Sequence, residues 1–276
     1  MTLSFISYAQ NFEDLMLWRA LKNVPAGFYV DVGAAWPRQD SVTAAFYDRG
    51  WKGINIEPNP ALYSMLCAER QRDINLNILI GASDEKTTDF FVIEGTGLST
   101  TSKEIADEHL DGGFSNVRVQ VEQETLAGIF NKYCQNQDIH FLKVDAEGSE
   151  ASVLMSNDWL KFRPWICVVE ATLPLKSEES YSSWDAYLVS KEYTFVYSDG
   201  LNRYYVRKES GALAKFFNAP PNVFDSYETY EVVKLKERIK QLETTLETTL
   251  AEQELKAKLE NIERAKSAWW RKFSWR

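Results

Sequence analysis

The chain has 276 residues, of which 45% are hydrophobic and 13% aromatic, enough for one large domain or one domain with an appendage. Its net charge of −9 argues against a general nucleic-acid binder, because such a protein needs a concentrated basic surface. The 3 cysteines form no CxxC pair, so neither a disulfide framework nor a cysteine metal site is predicted, which favours a reducing cytoplasmic compartment.

The N-terminal segment, residues 7–21, is predicted to be a helix because its apolar residues recur at helical spacing. Gln10 and Asp14 would then lie one turn apart on a single face. That face is either solvated or covers a ligand, in which case Gln10 contacts the ligand. Acidic residues interrupt this region, so no signal peptide is expected, and no run of about 20 apolar residues predicts a membrane span.

A buried strand followed by a turn of small residues lies at positions 27–37. Asp31 belongs to the predicted strand, and Gly33, Ala34 and Ala35 form the turn. A turn of this kind lets the backbone approach a ligand at the carboxyl end of a parallel strand. With one glycine instead of three, the pattern also fits the β-α turn of any α/β protein.

A helix over 42–49, a strand over 51–56 and the acidic residue Glu57 follow. A carboxylate at the end of this second strand could accept hydrogen bonds from both hydroxyls of a ribose, since it offers two acceptor oxygens. The alternative is that Glu57 only caps the helix predicted over 60–70. Its position one β-α-β unit after the small-residue turn favours the ribose interpretation.

The middle of the chain alternates between short strands and polar segments. The predicted elements are a strand over 74–80 ending at Gly81, Ala82 and Ser83, a strand over 89–93, a strand over 117–121 and a helix over 126–133. The polar stretch 95–114 is predicted to be a loop. A loop of this length is usually an active-site lid or partly disordered.

Charged side chains converge where the predicted strand 139–144 ends. Lys143, Asp145, Glu147 and Glu150 lie within eight positions of each other. Carboxylates there could orient a ligand amine, hold a metal or take a proton. Glu147 and Glu150 could instead favour the positive N-terminus of the next helix. We prefer that explanation for Glu150 but not for Asp145, which belongs to the strand end.

The last part of the predicted domain holds a strand over 165–169 ending at Glu170, a helix over 183–190, and a hairpin. Dinucleotide-binding domains normally continue with parallel β-α units. A closing antiparallel hairpin is instead typical of methyltransferases that use S-adenosylmethionine (SAM).

From residue 7 to about residue 208 the chain resembles the FkbM family of SAM-dependent methyltransferases. The resemblance runs, in order, through YAQNFEDLMLWRAL, GFYVDVGA, SVTAAFYDRGWKGINIEPNP, INLNILIGA, GTGLST, HFLKVDAEGSEASVL, RPWICVVEAT and FVYSDGLNRYYV. It implies an α/β, Rossmann-like class I SAM methyltransferase fold, with a seven-stranded sheet ending in an antiparallel hairpin. It also implies a methyltransferase domain over 1–210, with SAM as cofactor.

The resemblance assigns roles to several residues. It implies that Asp31, Gly33 and Ala34 contact the methionine part of SAM, Glu57 the ribose, Gly81 and Ala82 the adenine, and Asp145 the reacting methyl group and the acceptor. The second half of the turn departs from the family, because many members carry His or Asp near the position of Trp36. Any role for that half of the turn is therefore in doubt.

Methyl transfer mainly requires that the acceptor oxygen be held in line with the activated methyl group, and a general base helps. Asp145 is our first candidate for the base and Glu170 the second, with Lys143 as an orienting cation. A divalent metal at Asp145 is conceivable, but none is predicted, because no compact carboxylate-rich motif accompanies it.

Beyond the predicted domain, residues 211–226 are predicted to be a linker, 227–266 a coiled-coil helix and 267–276 a basic-aromatic tail. The apolar stripe comprises Val232, Leu235, Ile239, Leu242 and Leu246, then Leu250, Leu255, Leu259 and Ile262 after a predicted stutter near Gln253. The helix could self-associate or pack on its own domain; we favour self-association. The tail suits an anionic membrane surface or a protein partner.

The leading hypothesis is SAM-dependent O-methylation of a sugar hydroxyl in a bacterial surface glycan or its glycolipid-linked precursor. The coiled coil would form a homo-oligomer or bind a glycosyltransferase, and the tail would contact the inner membrane. One alternative is a non-catalytic scaffold that recruits glycan-assembly enzymes. A nicotinamide-dependent oxidoreductase is disfavoured by the missing glycines and by the hairpin.

Overall fold

A computed structural model of the chain describes residues 4–82, 85–173, 176 and 178–273, without the side chains of 272 and 273. The chain divides into two compact units, Met1–Tyr227 and Glu228–Arg276. The two units are described separately below.

The first unit alternates strands and helices along most of its length. Its elements are β1 (Phe5–Ser7), α1 (Glu13–Leu21), β2 (Phe28–Val32), α2 (Ala44–Asp48), β3 (Lys52–Ile56), α3 (Pro60–Glu69), β4 (Ile74–Leu76), β5 (Leu79–Ile80), β6 (Thr87–Ile93), α4 (Lys103–Asp111), β7 (Asn116–Glu124), α5 (Leu126–Tyr133), β8 (Phe141–Val144), α6 (Glu150–Met155), β9 (Ile166–Glu170), α7 (Asp185–Ser190), β10 (Tyr193–Ser198) and β11 (Asn202–Arg207). Three 3-10 helices, at Tyr181–Ser183, Lys208–Phe217 and Val223–Asp225, also belong to this unit. The short strand β12 (Tyr227–Thr229) begins at the last residue of the first unit and continues in the second.

The central feature is a seven-stranded sheet in the order β10-β11-β9-β8-β2-β3-β4. Strand β11 runs antiparallel to β9 and β10, whereas the pairs from β9 to β4 are parallel. The predicted mixed α/β architecture with a multistranded sheet is confirmed, and it is consistent with a methyltransferase-type fold. From β2 the chain proceeds to β3 and β4 on one side, and it later returns to β8 on the other. The strand order therefore reverses between β2 and β8, a position where open α/β sheets bind ligands.

Both faces of this sheet are covered, so its central strands are buried along their whole length. In β2, Phe28, Val30 and Val32 belong to one hydrophobic cluster and Tyr29 to the other, as expected when successive side chains point to opposite faces. The first cluster packs β2 against α5 and α6, and the second packs it against α1. The strand ends that follow β2 and β8 are thus held by a core on each side.

A second sheet of three strands, in the order β5-β7-β6, was not predicted. The predicted strand 74–80 is in fact two short strands that belong to different sheets. The amide of Asn77 donates hydrogen bonds to the carbonyl oxygens of Glu57 (2.8 Å) and Pro58 (2.9 Å). These bonds hold the chain against the end of β3 and so interrupt the strand between Leu76 and Leu79.

The first helix is shorter than predicted, because it begins at Glu13 after Phe12, which adopts a left-handed conformation with φ of 62°. Asp14 is fully buried and accepts hydrogen bonds from the backbone of Tyr8 (2.7 Å) and the hydroxyl of Ser7 (2.7 Å). The predicted helical face shared by Gln10 and Asp14 is therefore wrong. Asp14 instead stabilises the segment that precedes the helix.

The stretch 95–114, predicted to be a loop, contains the helix α4, so the prediction of an irregular segment is wrong for residues 103–111. The hydroxyl of Ser102 caps this helix by accepting a hydrogen bond from the backbone of Ile105. Before it, Phe91 and Thr100 form a β-bridge. The hydroxyl of Thr100 donates to the carbonyl oxygen of Glu147 (2.9 Å), which ties this segment to the loop after β8.

Residues 211–226, assigned above to a linker, pack on the first unit. Phe217 is buried in the hydrophobic cluster that also contains α1 residues. Arg19 donates to the carbonyl oxygens of Ala219 (2.6 Å) and Pro220 (2.8 Å), and it forms an ion pair with Asp225. These contacts extend the compact unit to Tyr227.

The second unit consists mainly of α8 (Tyr230–Phe273), one uninterrupted helix of 44 residues. The apolar side chains that form the stripe on this helix are all exposed. Their exposed fractions lie between 41%, for Val232, and 63%, for Leu235. In the part of the chain that the structure describes, no helix combines the length and apolar character needed to cross a bilayer. Trp269 and Trp270 are exposed, while Ser274, Trp275 and Arg276 of the predicted tail lie outside the described residues.

Candidate functional site

A cavity of about 400 Å³ opens at the carboxyl ends of β2, β3 and β8. Its volume lies within the range of small-molecule sites, and its position matches the reversal of strand order in the sheet. The residues that line it from these strand ends and the turns after them are Asp31, Val32, Gly33, Ala34, Ala35, Trp36, Ile56, Glu57, Pro58, Lys143, Asp145, Ala146, Glu147 and Ser149.

Gly33 follows the end of β2 and packs against the backbone of Asp145, the residue after β8. It has φ of 77°, and a Cβ atom there would lie 1.8 Å from the carbonyl oxygen of Asp145. The backbone amides of Gly33 and Ala34 both donate to the carbonyl oxygen of Ile56, at 3.0 and 3.1 Å. Only glycine fits this backbone conformation and spacing, so Gly33 lets the turn pass close to the end of β8.

Glu57 organises the same turn from the end of β3. Its carboxylate accepts hydrogen bonds from the backbone amides of Ala35 (2.8 Å) and Asn59 (2.8 Å). Ala35 has φ of 48°, an uncommon conformation that the bond from Glu57 helps to hold. Burial raises the pKa of Glu57 to about 7. Each carboxylate oxygen keeps a second lone pair for a ligand.

Lys143 connects the ends of β2 and β8. Its Nζ donates to the carbonyl oxygen of Gly33 (3.0 Å) and to Oδ2 of Asp145 (3.0 Å), and it lies 3.8 Å from Oδ1 of Asp31. Burial disfavours the charged amine, but Asp145 and Asp31 outweigh that effect and raise the pKa of Lys143. Burial also raises the pKa of Asp31, against the opposing effect of Lys143. Lys143 is therefore protonated near neutral pH and cannot act as a base.

Four acidic side chains, Asp145, Glu147, Glu150 and Glu170, gather at the ends of β8 and β9. Val144 pairs with Val169, so the next residues, Asp145 and Glu170, are neighbours across the two strands. Burial and the neighbouring carboxylates raise the pKa of Glu147 to about 9 and that of Glu170 to about 11.

Glu150 is the member of this group with a clear structural role. Its Oε1 accepts hydrogen bonds from the backbone amides of Ala146 (3.0 Å) and Gly148 (3.1 Å), so it holds the loop that precedes α6. Within the described ranges, no group of three or more His, Cys, Asp or Glu side chains is arranged to hold a metal ion.

Another wall of the cavity comes from the second sheet, which was not predicted, and from the stretch 95–114, for which an active-site lid was one of the two expectations. It comprises Thr88, Phe90, Gly97, Leu98, Ser99, Thr101 and Gln123, from the second sheet and from the segment before α4. Trp36 faces this wall, since a Cβ atom on Gly97 would lie 3.3 Å from the indole ring. The unusual residue in the turn thus forms a side of the cavity.

Most of the site residues predicted from the sequence meet at this cavity. Those that line it are Gln10, Asp31, Gly33, Ala34, Glu57, Gly81, Lys143 and Asp145. Ala82 and Glu170 are not among the lining residues: the backbone amide of Ala82 donates to the hydroxyl of Ser152 (3.0 Å), and Glu170 lies beside Asp145 at the end of β9. Ser83 lies outside the described residues.

Comparison with models of protein families gives a match. The sequence profile of the family described as Methyltransferase FkbM domain matches residues 31–197, which include Asp31, Glu57 and Asp145. A search of curated proteins finds no significant match. The family match covers more than half of the chain and includes the sheet from β2 to β10. The chain therefore belongs to the FkbM methyltransferase family.

Proposed function

We propose that this protein is a SAM-dependent O-methyltransferase that acts on a sugar hydroxyl in the biosynthesis of a bacterial surface glycan. The observation that carries the proposal is the cavity at the strand-order reversal, lined by Asp31, Gly33, Glu57 and Asp145. Family membership supports methyl transfer, and the antiparallel closing hairpin is typical of SAM-dependent enzymes.

The residues present fit SAM along the sheet edge. Ile80, Gly81 and Phe90 offer an apolar surface suited to the adenine, next to Glu57 and its spare lone pairs for the ribose hydroxyls. Because the backbones of the turn and of β8 approach closely at Gly33, the space at the ends of β2 and β8 is left for the methionine part of SAM. The donor would thus lie across the carboxyl ends of the strands, with its reacting end at Asp145.

When bound, SAM supplies a methyl group that is already activated for transfer. The chain must then hold the acceptor hydroxyl in line and remove its proton. Asp145 is suited to this because it lines the cavity, its side chain is 33% exposed, and its Oδ2 is held by a hydrogen bond from Lys143 (3.0 Å). Glu170 is protonated at neutral pH because of its raised pKa, which favours Asp145 over Glu170 as the base.

The acceptor class rests on the family and on the shape of the cavity. The indole of Trp36 beside polar and acidic groups suits a ligand with an apolar face and several hydroxyls. A cytoplasmic enzyme that contacts the inner membrane through its basic-aromatic C-terminus would meet glycolipid-linked sugars there.

The test is methyl transfer by the full-length protein to a panel of oligosaccharides and lipid-linked sugars, with SAM carrying an isotopically labelled methyl group. We expect mass spectrometry to detect one labelled methyl group on a sugar oxygen. Asp145→Asn should bind SAM but lose at least about a hundredfold in turnover, the usual contribution of a general base. Transfer to nitrogen, or full activity of Asp145→Asn, would contradict the proposal.

A further inference from the structure

The acidic residues at the ends of β8 and β9 have too little positive charge around them. Lys143 is the only basic residue among the described residues that line the cavity, and it already contacts Asp145 and the carbonyl oxygen of Gly33. Glu147 has the charge of Lys143 nearby but no ion pair with it, and the hydrogen-bond partner of Glu170 is another acid, Asp145. Buried carboxyl groups without a cationic partner are costly, so their presence here requires an explanation.

Two carboxyl oxygen atoms show where a binding partner is missing. The Oε2 atoms of Glu147 and Glu170 are both buried, and neither forms a hydrogen bond with a described residue. Glu170 is only 8% exposed and lies beside Asp145 at the end of the neighbouring strand. Glu147 lines the cavity and has the left-handed φ of 48°, which the bond from Thr100 to its carbonyl oxygen helps to hold. The strained backbone thus directs this carboxyl group toward the cavity.

We propose that Glu147, backed by Glu170, forms a subsite for the positively charged sulfonium of the methyl donor. The inference rests on the proposed function. The order of the strands supports it, because an adenine at Gly81 and a ribose at Glu57 leave the sulfur near the ends of β2 and β8. Methyl transfer removes the positive charge from the sulfur, so the subsite would hold the donor more strongly than the product S-adenosylhomocysteine.

The subsite should make donor binding depend on pH. The charged groups that surround it are Asp31 on β2, Lys143 on β8, Asp145 on the loop after β8, Glu150 at the start of α6, and Glu170 on β9. The carboxylate form of Glu147 attracts a cation, and the protonated form does not. Since its pKa is raised to about 9, SAM affinity should increase from pH 7 to pH 9, with release of a proton.

Isothermal titration calorimetry of the full chain with SAM and with S-adenosylhomocysteine tests this directly. The two ligands differ at the sulfonium and share the amino group, so the ratio of their affinities isolates the sulfonium. We expect SAM to bind about tenfold more tightly at pH 8, as one nearby charge pair allows. Glu147→Gln should remove most of that difference and leave S-adenosylhomocysteine binding within twofold. Glu122→Gln on the exposed part of β7 is the matched control.

The outcomes separate this inference from the proposed function. If both ligands bind equally well to the wild type, or if Glu147→Gln leaves the ratio unchanged, the subsite is refuted and the methyltransferase proposal stands. If neither ligand binds, both are refuted. Should Glu147→Gln fail to fold, titrations of the wild type in two buffers of different ionisation enthalpy decide instead. Proton release with SAM but not with the product supports the subsite, and equal release refutes it.

A separate observation concerns α8, whose apolar stripe changes face. From Val232 to Leu250 the apolar residues are three or four positions apart, but Leu255 follows Leu250 after five. At 3.6 residues per turn, five residues rotate the stripe by about 140°. The break predicted near Gln253 is therefore larger than a stutter, and one straight partner helix cannot cover both parts.

The first part, 230–250, has the pattern of a parallel two-stranded coiled coil. β-branched Val232 and Ile239 occupy a positions, and Leu235 and Leu242 occupy d positions. The flanking charges complement a second copy: Glu231 would face Lys236 of the other chain, and Arg238 would face Glu243. We infer that a second copy of this chain covers the stripe at 230–250, in parallel orientation.

Sedimentation equilibrium of the full chain tests the dimer. We expect Arg238→Glu to weaken dimerisation, because it places like charges opposite each other, and the double variant Arg238→Glu with Glu243→Arg to restore it. Leu259→Glu, on the other face, should leave the dimer intact. A monomeric wild type would overturn the inference, as would a double variant weaker than the single one or a dimer lost in Leu259→Glu.

Discussion

At the scale of single residues, the site depends on Gly33, because the backbone of β8 occupies the space of its missing side chain. Alanine at this position would destabilise the fold in two ways, through the positive φ and through a clash with the carbonyl oxygen of Asp145. Gly50 offers a matched control, since it has φ of 87° but nothing within 4 Å of its Cβ position. We expect Gly50→Ala to cost about 1 kcal/mol of unfolding free energy.

Gly33→Ala should cost about 2 kcal/mol more than that and abolish SAM binding, because the strand ends must separate. Urea denaturation of the two variants measures the difference. Equal losses of unfolding free energy in Gly33→Ala and Gly50→Ala would show that Gly33 is not in tight contact with Asp145.

Lys143 provides a second prediction at this scale. Methionine at this position would leave Asp31 and Asp145 without their nearest cation, and Asp31 is buried. Removing one partner of a buried charge group typically costs about 3 kcal/mol or more. We expect Lys143→Met to lower the unfolding free energy by that amount, whereas Lys103→Met in an exposed pair should have no measurable effect. A stable Lys143→Met protein would argue that water already screens these charges.

At the scale of elements, the sequence predicted the central sheet well because its strands are apolar and its turns are marked. The helix α5 has the predicted bounds. Asp31, Glu57 and Asp145 could be predicted as site residues because each lies at the end of a strand that the sequence marks clearly. The strand that contains Phe90 and the stretch that contains Gly97 were recognised separately, but their packing into one wall of the cavity could not be predicted, because it depends on a second sheet and on contacts between distant segments. The predicted start of α1, at residue 7, is too early, because Phe12 adopts a left-handed conformation just before the helix. No local sequence pattern indicates that conformation.

The contact between the segment before α4 and the loop after β8 gives a prediction at this scale. Thr100 is buried; its hydroxyl donates to the carbonyl oxygen of Glu147 and accepts from the backbone of Ser102. Thr100→Val keeps the shape but removes both bonds, so we expect a loss of about 1–3 kcal/mol and weaker SAM binding. Hydrogen exchange should show faster opening of α4. Unchanged exchange there would mean that the helix is held by other contacts.

At the scale of the whole molecule, several buried acids make stability depend on pH. Burial raises the pKa of Glu13 to about 7, of Glu57 to about 7 and of Asp14 to about 6. Each has a lower pKa in the unfolded chain, so the native state binds more protons between about pH 4.5 and pH 7. The unfolding free energy should therefore fall as the pH rises through this window, by about 1.4 kcal/mol per pH unit for each group.

Urea denaturation from pH 5 to pH 8 measures this dependence. The Glu13→Gln variant should show a shallower slope, because it keeps the hydrogen bond with Asn202 but loses one titrating group. Stability that is constant or rises over this range would show that these carboxyl groups are ionised in the native state.

The central claim is that the cavity at the ends of β2, β3 and β8 binds SAM, and calorimetric titration of the full-length protein tests it most directly. We predict one SAM molecule per chain, with affinity reduced about tenfold or more in Glu57→Gln, because the carboxylate loses an acceptor for the ribose and for the turn. Absence of binding to the folded wild type, or equal affinity in Glu57→Gln, would contradict the assignment of this cavity.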